Sequence, residues 1–311
     1  MAEESQVRTV IDIGTNSVKV LVARIDNQQQ IEPLFERSTQ TRLGRGLYET
    51  KRLRPDAIAR TAEVIEGFLS TASTLNSPSF KIIATSAARD AENHEEFRKA
   101  IADVSGQEPE IISGEREAAL VYRGVRSQPG LADTIFVADV GGGSTEFIIG
   151  QDEQPNFSIS VPLGSVRTMS TASFDDPPGT AGLEQCCDLV RQFLRSEPIV
   201  SSGLHQEAAD LSDIVGVGGT TTFLARMYHE TDEFDRAQLE ATVFARPLLR
   251  ELNEKLWNLP LAQRKELRGI PAERADVIPF GAAIYLAIME ELDLERLLVS
   301  TRGIRTGLLL E

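Results

Sequence analysis

The sequence predicts two related α/β domains that face each other across a cleft. Three observations predict it. The chain has 311 residues, enough for two domains of ordinary size, each with its own core. Apolar runs of strand length alternate with stretches of helical periodicity, the pattern of an α/β protein. And one glycine turn between two apolar runs occurs twice at a constant spacing: Asp12, Gly14 and Ser17 match Asp139, Gly141 and Ser144, each 127 residues further on. A repeat at domain spacing marks two copies of one unit.

The elements follow in order. Residues 7–25 read as two strands around the turn Asp12-Ile13-Gly14-Thr15-Asn16-Ser17, since Gly and Asn tolerate the backbone of a tight turn. A loop with Gly44 and Gly46 comes next. Residues 55–74 read as a helix, with Ile58, Ala62, Ile65 and Leu69 at helical spacing. A strand over 81–85, a helix over 93–104 and a strand ending at Ile111-Ile112 follow. Ser113 then caps a helix over 114–125. The break Ser127-Gln128-Pro129-Gly130 separates the domains, 1–127 and 128–299. The second opens on residues 134–149, again apolar run, glycine turn and apolar run. A third glycine turn, Gly216-Val217-Gly218-Gly219-Thr220-Thr221, stands between a short apolar strand and a helix reaching Tyr228. The last long helix ends near Leu292.

Composition narrows the function. Apolar residues make up 41% and charged residues 25%, ordinary for a folded protein of the cytoplasm. The net charge of −15 argues against a general nucleic-acid binder, whose surface is basic. No run approaches the roughly 20 apolar residues of a membrane span, and the acidic start Met1-Ala2-Glu3-Glu4-Ser5 is unlike a signal peptide. Cys186 and Cys187 are adjacent, a spacing that neither bridges nor builds a zinc site, so they read as core filling. His94, His205 and His229 share no motif. The Gly-x-x-x-x-Gly-Lys-Ser/Thr loop of P-loop enzymes is absent. The sequence leaves a homodimer open.

The chemistry lies in the turns. Three consecutive glycines weaken a strand, by about 0.5–1 kcal/mol each relative to Ala, and earn their place where backbone N–H groups approach a ligand. In Asp139-Val140-Gly141-Gly142-Gly143-Ser144-Thr145-Glu146 the successive N–H groups and hydroxyls suit phosphate. Asp139 and Glu146 flank that cradle and would repel phosphate without a divalent cation between. Mg2+ binds through one or two carboxylates, phosphate oxygens and water. The first copy offers Gly14, Thr15, Asn16 and Ser17, with Lys19 where the second has Glu146.

These turns resemble those of the actin-like (ribonuclease H-like) ATPase and sugar-kinase superfamily. More narrowly, the chain resembles the exopolyphosphatase and guanosine pentaphosphate phosphohydrolase (Ppx/GppA) family in its short two-domain form. The resemblance rests on residues 11–17, Ala84-Thr85-Ser86-Ala87-Ala88-Arg89, Ile112-Ser113-Gly114-Glu115-Arg116-Glu117-Ala118, 139–146, 216–220, Arg274-Ala275-Asp276-Val277-Ile278 and 303–307, in family order. It implies two actin-like domains with a phosphate-binding cleft, and a C-terminal segment, 300–311, that rejoins the first domain. It implies Mg2+-dependent hydrolysis of terminal phosphate from inorganic polyphosphate. Glu117 would activate the attacking water. Asp139 and Glu146, with Asp12 nearby, would hold the metal. Arg89, Ser86, the two turns and the third, Gly218, Gly219 and Thr220, would contact substrate phosphate. The alternatives are the sister activity on guanosine pentaphosphate, a kinase, and a nucleotide- or phosphate-binding sensor without turnover.

The residues themselves single out Glu117. On its helix Glu115 shares a face with Ala119, Tyr122 and Arg123, which reads as partly solvated, whereas Glu117 lies with Leu120, Val121 and Gly124 on a nearly apolar face. Partial desolvation makes a carboxylate a better base, and the helix N-terminus opposes this. Arg42, Arg45, Arg302 and Arg305 could guide a polyanion, or could be plain surface charges.

Overall fold

A computed structural model describes residues 6–151, 153–171 and 173–311. The chain divides into two compact units, Met1–Gly124 with Ile304–Glu311, and Val125–Gly303. The division falls inside the helix Gly114–Arg126, slightly before the expected break at 127, and the helix ends directly before Ser127-Gln128-Pro129-Gly130.

The first unit is built on β1 (Gln6–Ile13), β2 (Ser17–Ile25), β3 (Ile31–Gln40), β4 (Ser79–Ala84) and β5 (Glu110–Ile111), in the order β3-β2-β1-β4-β5. β1, β2 and β3 form an antiparallel meander, and β4 and β5 run parallel to β1. The second unit holds β6 (Ile135–Val140), β7 (Thr145–Gly150), β8 (Phe157–Val161), β9 (Asp213–Val217), β10 (Val243–Ala245) and β11 (Arg296–Val299), in the order β10-β11-β9-β6-β7-β8. Without the edge strand β10 the two orders are the same. The repeat is therefore a whole sheet, and the third glycine turn, after β9, is the counterpart of Thr85-Ser86 after β4.

Thr9 to Ile13 of β1 are buried, and in β2 all but Lys19 and Arg24 are buried. Strands covered on both faces need apolar side chains on both, which explains continuous Val/Ile runs in place of alternation. The helix Pro55–Thr74 starts with Pro in its first turn and buries Ile58, Ala62, Ile65 and Phe68 on one face; Pro suits the position because its missing N–H has no intrahelical partner there. Ser113 caps the helix Gly114–Arg126 as expected, its Oγ accepting from Arg116 N–H at 3.2 Å.

The C-terminal helix Ile304–Leu309 packs on β1 and on Gly114–Arg126. Its contact is so close that a Cβ on Gly307 would lie 1.8 Å from the Leu120 carbonyl oxygen. In the second unit Ile278–Glu291 is buried on all sides from Ile278 to Met289, packed among Gly179–Leu194, Arg246–Asn258 and the sheet, so its apolar residues form no stripe. Cys186 and Cys187 are fully buried free thiols in this core. Burial pushes the Cys186 thiol up to about 12.

Candidate active site

In each unit the functional residues gather at the carboxyl ends of the parallel strands, where open α/β sheets bind ligands. In the second unit, the Gly141 N–H donates to the Ser144 carbonyl at 2.9 Å and closes the turn between β6 and β7. The segment after β8 then takes up the turn's carbonyls. Gly141 O accepts from Ser165 N (2.9 Å) and Ser165 Oγ (3.2 Å). Gly142 O accepts from Val166 N (2.8 Å) and Arg167 N (3.0 Å). Gly143 O accepts from Arg167 Nε at 2.8 Å. In a trans peptide the N–H points opposite to the C=O. Clamping three successive carbonyls toward the helix Ser165–Thr171 turns the N–H groups of Gly142, Gly143 and Ser144 the other way. Three aligned N–H groups make a concave anion site. Gly164 makes the clamp fit: a Cβ there would lie 2.6 Å from Gly142 C, Gly142 O and Gly143 N.

Asp139 and Glu146 are direct cross-strand partners, so their side chains leave the same face of the sheet. Glu146 is 1% exposed, and Ser160 Oγ donates to its Oε1 at 2.6 Å. Asp139 lies under the third turn, since a Cβ on Gly218 would come within 3.1 Å of Asp139 Oδ1. Gly218 itself has φ 88° and ψ −166°, a conformation essentially reserved for glycine. Tyr285, fully buried, braces these strands: its hydroxyl sits 2.8 Å from Ala138 O and 3.1 Å from Val217 O as a donor, and accepts from Val140 N at 3.4 Å. Burial, and behind it the Asp139 carboxylate, raises the phenol well above its usual range; it stays a neutral donor.

Two carboxylates directly opposed on neighbouring strands repel, and two hard oxygen donors beside a phosphate-type nest are what Mg2+ takes. The residues fit the cation. Among the described residues no group of three or more His, Cys, Asp or Glu side chains is placed to hold a metal ion.

The first unit repeats the device. Gly14 N–H donates to Ser17 O at 3.0 Å, Gly44 N–H to Thr15 O at 2.8 Å, and Thr41 and Arg42 N–H to Asn16 O at 3.1 and 3.0 Å. Gly44 is required by space: a Cβ would stand 2.3 Å from the Thr15 methyl. The buried Ser17 Oγ has no hydrogen-bond partner among the described residues. Next to this turn, Thr85 N–H donates to Ile13 O (3.1 Å) and Ile112 N–H to Ala84 O (3.0 Å), lining up the ends of β1, β4 and β5. Ser86 is 3% exposed at the head of the helix Ser86–Asp90. One turn on, Arg89 NH1 donates to Ile112 O at 2.9 Å and to Glu117 Oε2 at 3.1 Å. Glu117 is 7% exposed whereas Glu115 is exposed. The Arg89 guanidinium supplies a counter-charge to this buried carboxylate.

The structure gives several of the expected residues contacts of their own. The Thr145 hydroxyl is fully buried and donates to Leu163 O at 2.5 Å, tying β7 to the clamp. Asp12 already has a cation partner, Lys19 Nζ at 3.7 Å across β1 and β2, so the position that carries a second acid in the other unit neutralises it here. Thr220 is buried against Gly281 and packs the third turn onto the long helix. Arg305 pairs with Glu36 (2.8 Å) and Val20 O (3.0 Å), and Arg302 with Glu240 (3.2 Å) and Ser127 O (2.5 Å); both are structural braces. Tyr122 is fully buried, not half-solvated. Sequence reasoning passed over Gly164, Ser165, Arg167 and Tyr285. The only local signal for the clamp is the Gly-Ser pair after an apolar run.

The sheet duplication, the two clamped turns and the opposed carboxylates define a two-unit α/β protein built to hold phosphate. The chain belongs to the Ppx/GppA phosphatase family, whose model matches residues 21–311. Exopolyphosphatase 2 of Mycobacterium tuberculosis is 31% identical over 313 aligned positions, covering 96% of each chain. A guanosine-5'-triphosphate,3'-diphosphate pyrophosphatase of Vibrio parahaemolyticus is 29% identical over 100% of this chain, which spans 60% of that relative. Among solved structures, the Aquifex aeolicus Ppx/GppA family member superposes with a TM-score of 0.80 at 28% identity, covering 98% of this chain and 97% of that one.

Proposed function

We propose that the protein is an exopolyphosphatase that hydrolyses the terminal phosphoanhydride bond of inorganic polyphosphate with Mg2+ as cofactor, in the cytoplasm. The observation that carries this reading is Glu117: a carboxylate almost wholly withdrawn from water, on a capped helix at the end of β5, counter-charged by Arg89 3.1 Å away. A carboxylate within reach of a bound water can take its proton. In the step proposed, water oxygen bonds to the terminal phosphorus as the P–O bond to the penultimate phosphate breaks. The water's proton passes to Glu117, and the shortened chain leaves as an anion. In the second unit the N–H groups of Gly142, Gly143 and Ser144, and in the first those of Asn16 and Ser17, would each bind phosphate oxygens. Asp139 and Glu146 would hold the cation. When bound, it neutralises charge on the phosphate oxygens.

A relative of the same length named as an exopolyphosphatase supports polyphosphate as substrate. The Vibrio relative supports the second reading, guanosine pentaphosphate. Phosphate release from short polyphosphate, long polyphosphate and guanosine pentaphosphate, measured side by side with Mg2+ and with chelator, tests both. The proposal expects the highest kcat/KM on a polyphosphate and no release with chelator. Faster turnover of guanosine pentaphosphate would favour the second reading, and no acceptor-independent release from any of them would favour a sensor or kinase.

A further inference from the structure

We propose that Arg167 is a positioning residue that sets the phosphate nest through the backbone of Gly143. Among the described residues five donors hold the carbonyls of Gly141, Gly142 and Gly143: three are main-chain N–H groups and one is the Ser165 hydroxyl, which shares its carbonyl with Ser165 N–H. The Gly143 carbonyl is the exception. Arg167 Nε, at 2.8 Å, is the donor it receives from the clamp. The peptide it belongs to carries the Ser144 N–H, the last of the three N–H groups in the nest, and the one next to Thr145 and Glu146 on β7. Glycine has no Cβ to restrict rotation about its bonds, so a Gly-Gly-Ser peptide held at one side only can flip its plane. A flip at Gly143 would present a carbonyl oxygen, in place of an N–H, to a phosphate. The Arg167 side chain prevents this from outside the nest. It starts from a helix whose first N–H groups are already bonded to the same loop, so its Nε is aimed with little freedom left.

In the first unit main-chain donors do the corresponding work. There the carbonyls of Thr15 and Asn16 are held by main-chain N–H groups of Thr41, Arg42 and Gly44. That turn carries Thr15-Asn16-Ser17 after its Gly14, and side chains restrict its peptides. The Arg167 guanidinium acts on the turn with three glycines, where the backbone is freest.

The proposal rests on the reading of this turn as a phosphate site, and the experiment separates the two. Arg167→Lys keeps the charge but places no N–H where Nε stands; Arg167→Met keeps most of the length and loses both. Hydrogen exchange of residues 139–146 in the ligand-free protein needs no substrate. Both variants are expected to speed exchange in that segment and leave the rest of the chain unchanged. In phosphate release from polyphosphate both are expected to lose kcat by about tenfold or more, since one preorganised donor at a developing charge is worth about 10²–10³-fold, with KM moving less than about threefold. A structural role alone would lower the melting temperature without this local exchange or kcat effect. A Lys variant that keeps half or more of the wild-type kcat would show that Arg167 acts by charge, and would overturn the proposal. So would unchanged exchange at 139–146. Faster exchange in the two variants, with a wild-type protein that releases no phosphate from polyphosphate, would leave the clamp standing and remove the proposed function.

Discussion

Gly164→Ala is a one-carbon test of the nest. A Cβ at this position would lie 2.6 Å from three backbone atoms of the Gly142–Gly143 peptide. An ordinary contact begins near 3.4 Å, so the loop and the Gly164 backbone must separate by about 0.8 Å. The obstacle is backbone on both sides, and no side chain can rotate away. The movement falls on the peptide whose N–H points into the nest. Misplacing a binding group by about 1 Å costs on the order of 10²-fold in rate, so we expect kcat for phosphate release to fall by about 10–100-fold. Overpacking costs about 1–3 kcal/mol, and the variant should still fold. The control is Gly67→Ala, on the helix Pro55–Thr74, where a Cβ meets nothing within 4 Å. It removes a flexible residue from a helix interior and should stabilise by about 0.5–1 kcal/mol with unchanged kcat. Thermal melts and a phosphate-release assay on the same samples read both effects. Wild-type kcat in Gly164→Ala would refute the claim that the clamp sets the geometry of the turn.

Other changes have separate readouts. Asp139→Asn removes one of two opposed carboxylates; hydrolysis should be lost over a Mg2+ titration, while the melting temperature in chelator stays level or rises as like-charge repulsion is relieved. Full activity of that variant at limiting Mg2+ would remove the metal assignment. Gly307→Ala places a Cβ 1.8 Å from the Leu120 carbonyl oxygen and should destabilise by about 3 kcal/mol, at the upper end of overpacking, seen as a lowered urea midpoint; an unchanged midpoint would mean that the C-terminal helix does not need that close approach.

What could be read from the sequence was local. The turns Asp12 to Ser17 and Asp139 to Ser144 announce themselves because their glycines, acids and hydroxyls are contiguous, and their 127-residue offset gives the duplication. The helix Pro55–Thr74 is fully specified by its own Pro and its own apolar spacing, and Ser113 caps where it should. Glu117 was legible because a helix face is a local property, and its burial follows from Leu120 and Val121. Tyr122 was misread because it is fully buried on the side that the pattern assigned to solvent, and a periodicity argument sees one buried face only. The clamp was invisible because Gly164, Ser165 and Arg167 act on carbonyls more than 20 residues earlier, and a main-chain hydrogen bond leaves no mark on residue type. Thr145 shows the converse: a hydroxyl inside a phosphate-type motif is read as a ligand group, yet burial against Leu163 gives it a structural task.

The central claim is that Glu117 takes the proton of the attacking water. Glu117→Gln keeps size and an acceptor oxygen and removes the base; Glu115→Gln makes the same change on the same helix at an exposed position. With both variants melting like the wild type, the steady-state rate of phosphate release from polyphosphate at saturating substrate and Mg2+ should fall by about 10²–10⁴-fold for Glu117→Gln and by less than about threefold for Glu115→Gln. Equal losses in the two variants, or a dead Glu115→Gln beside an active Glu117→Gln, would contradict the assignment.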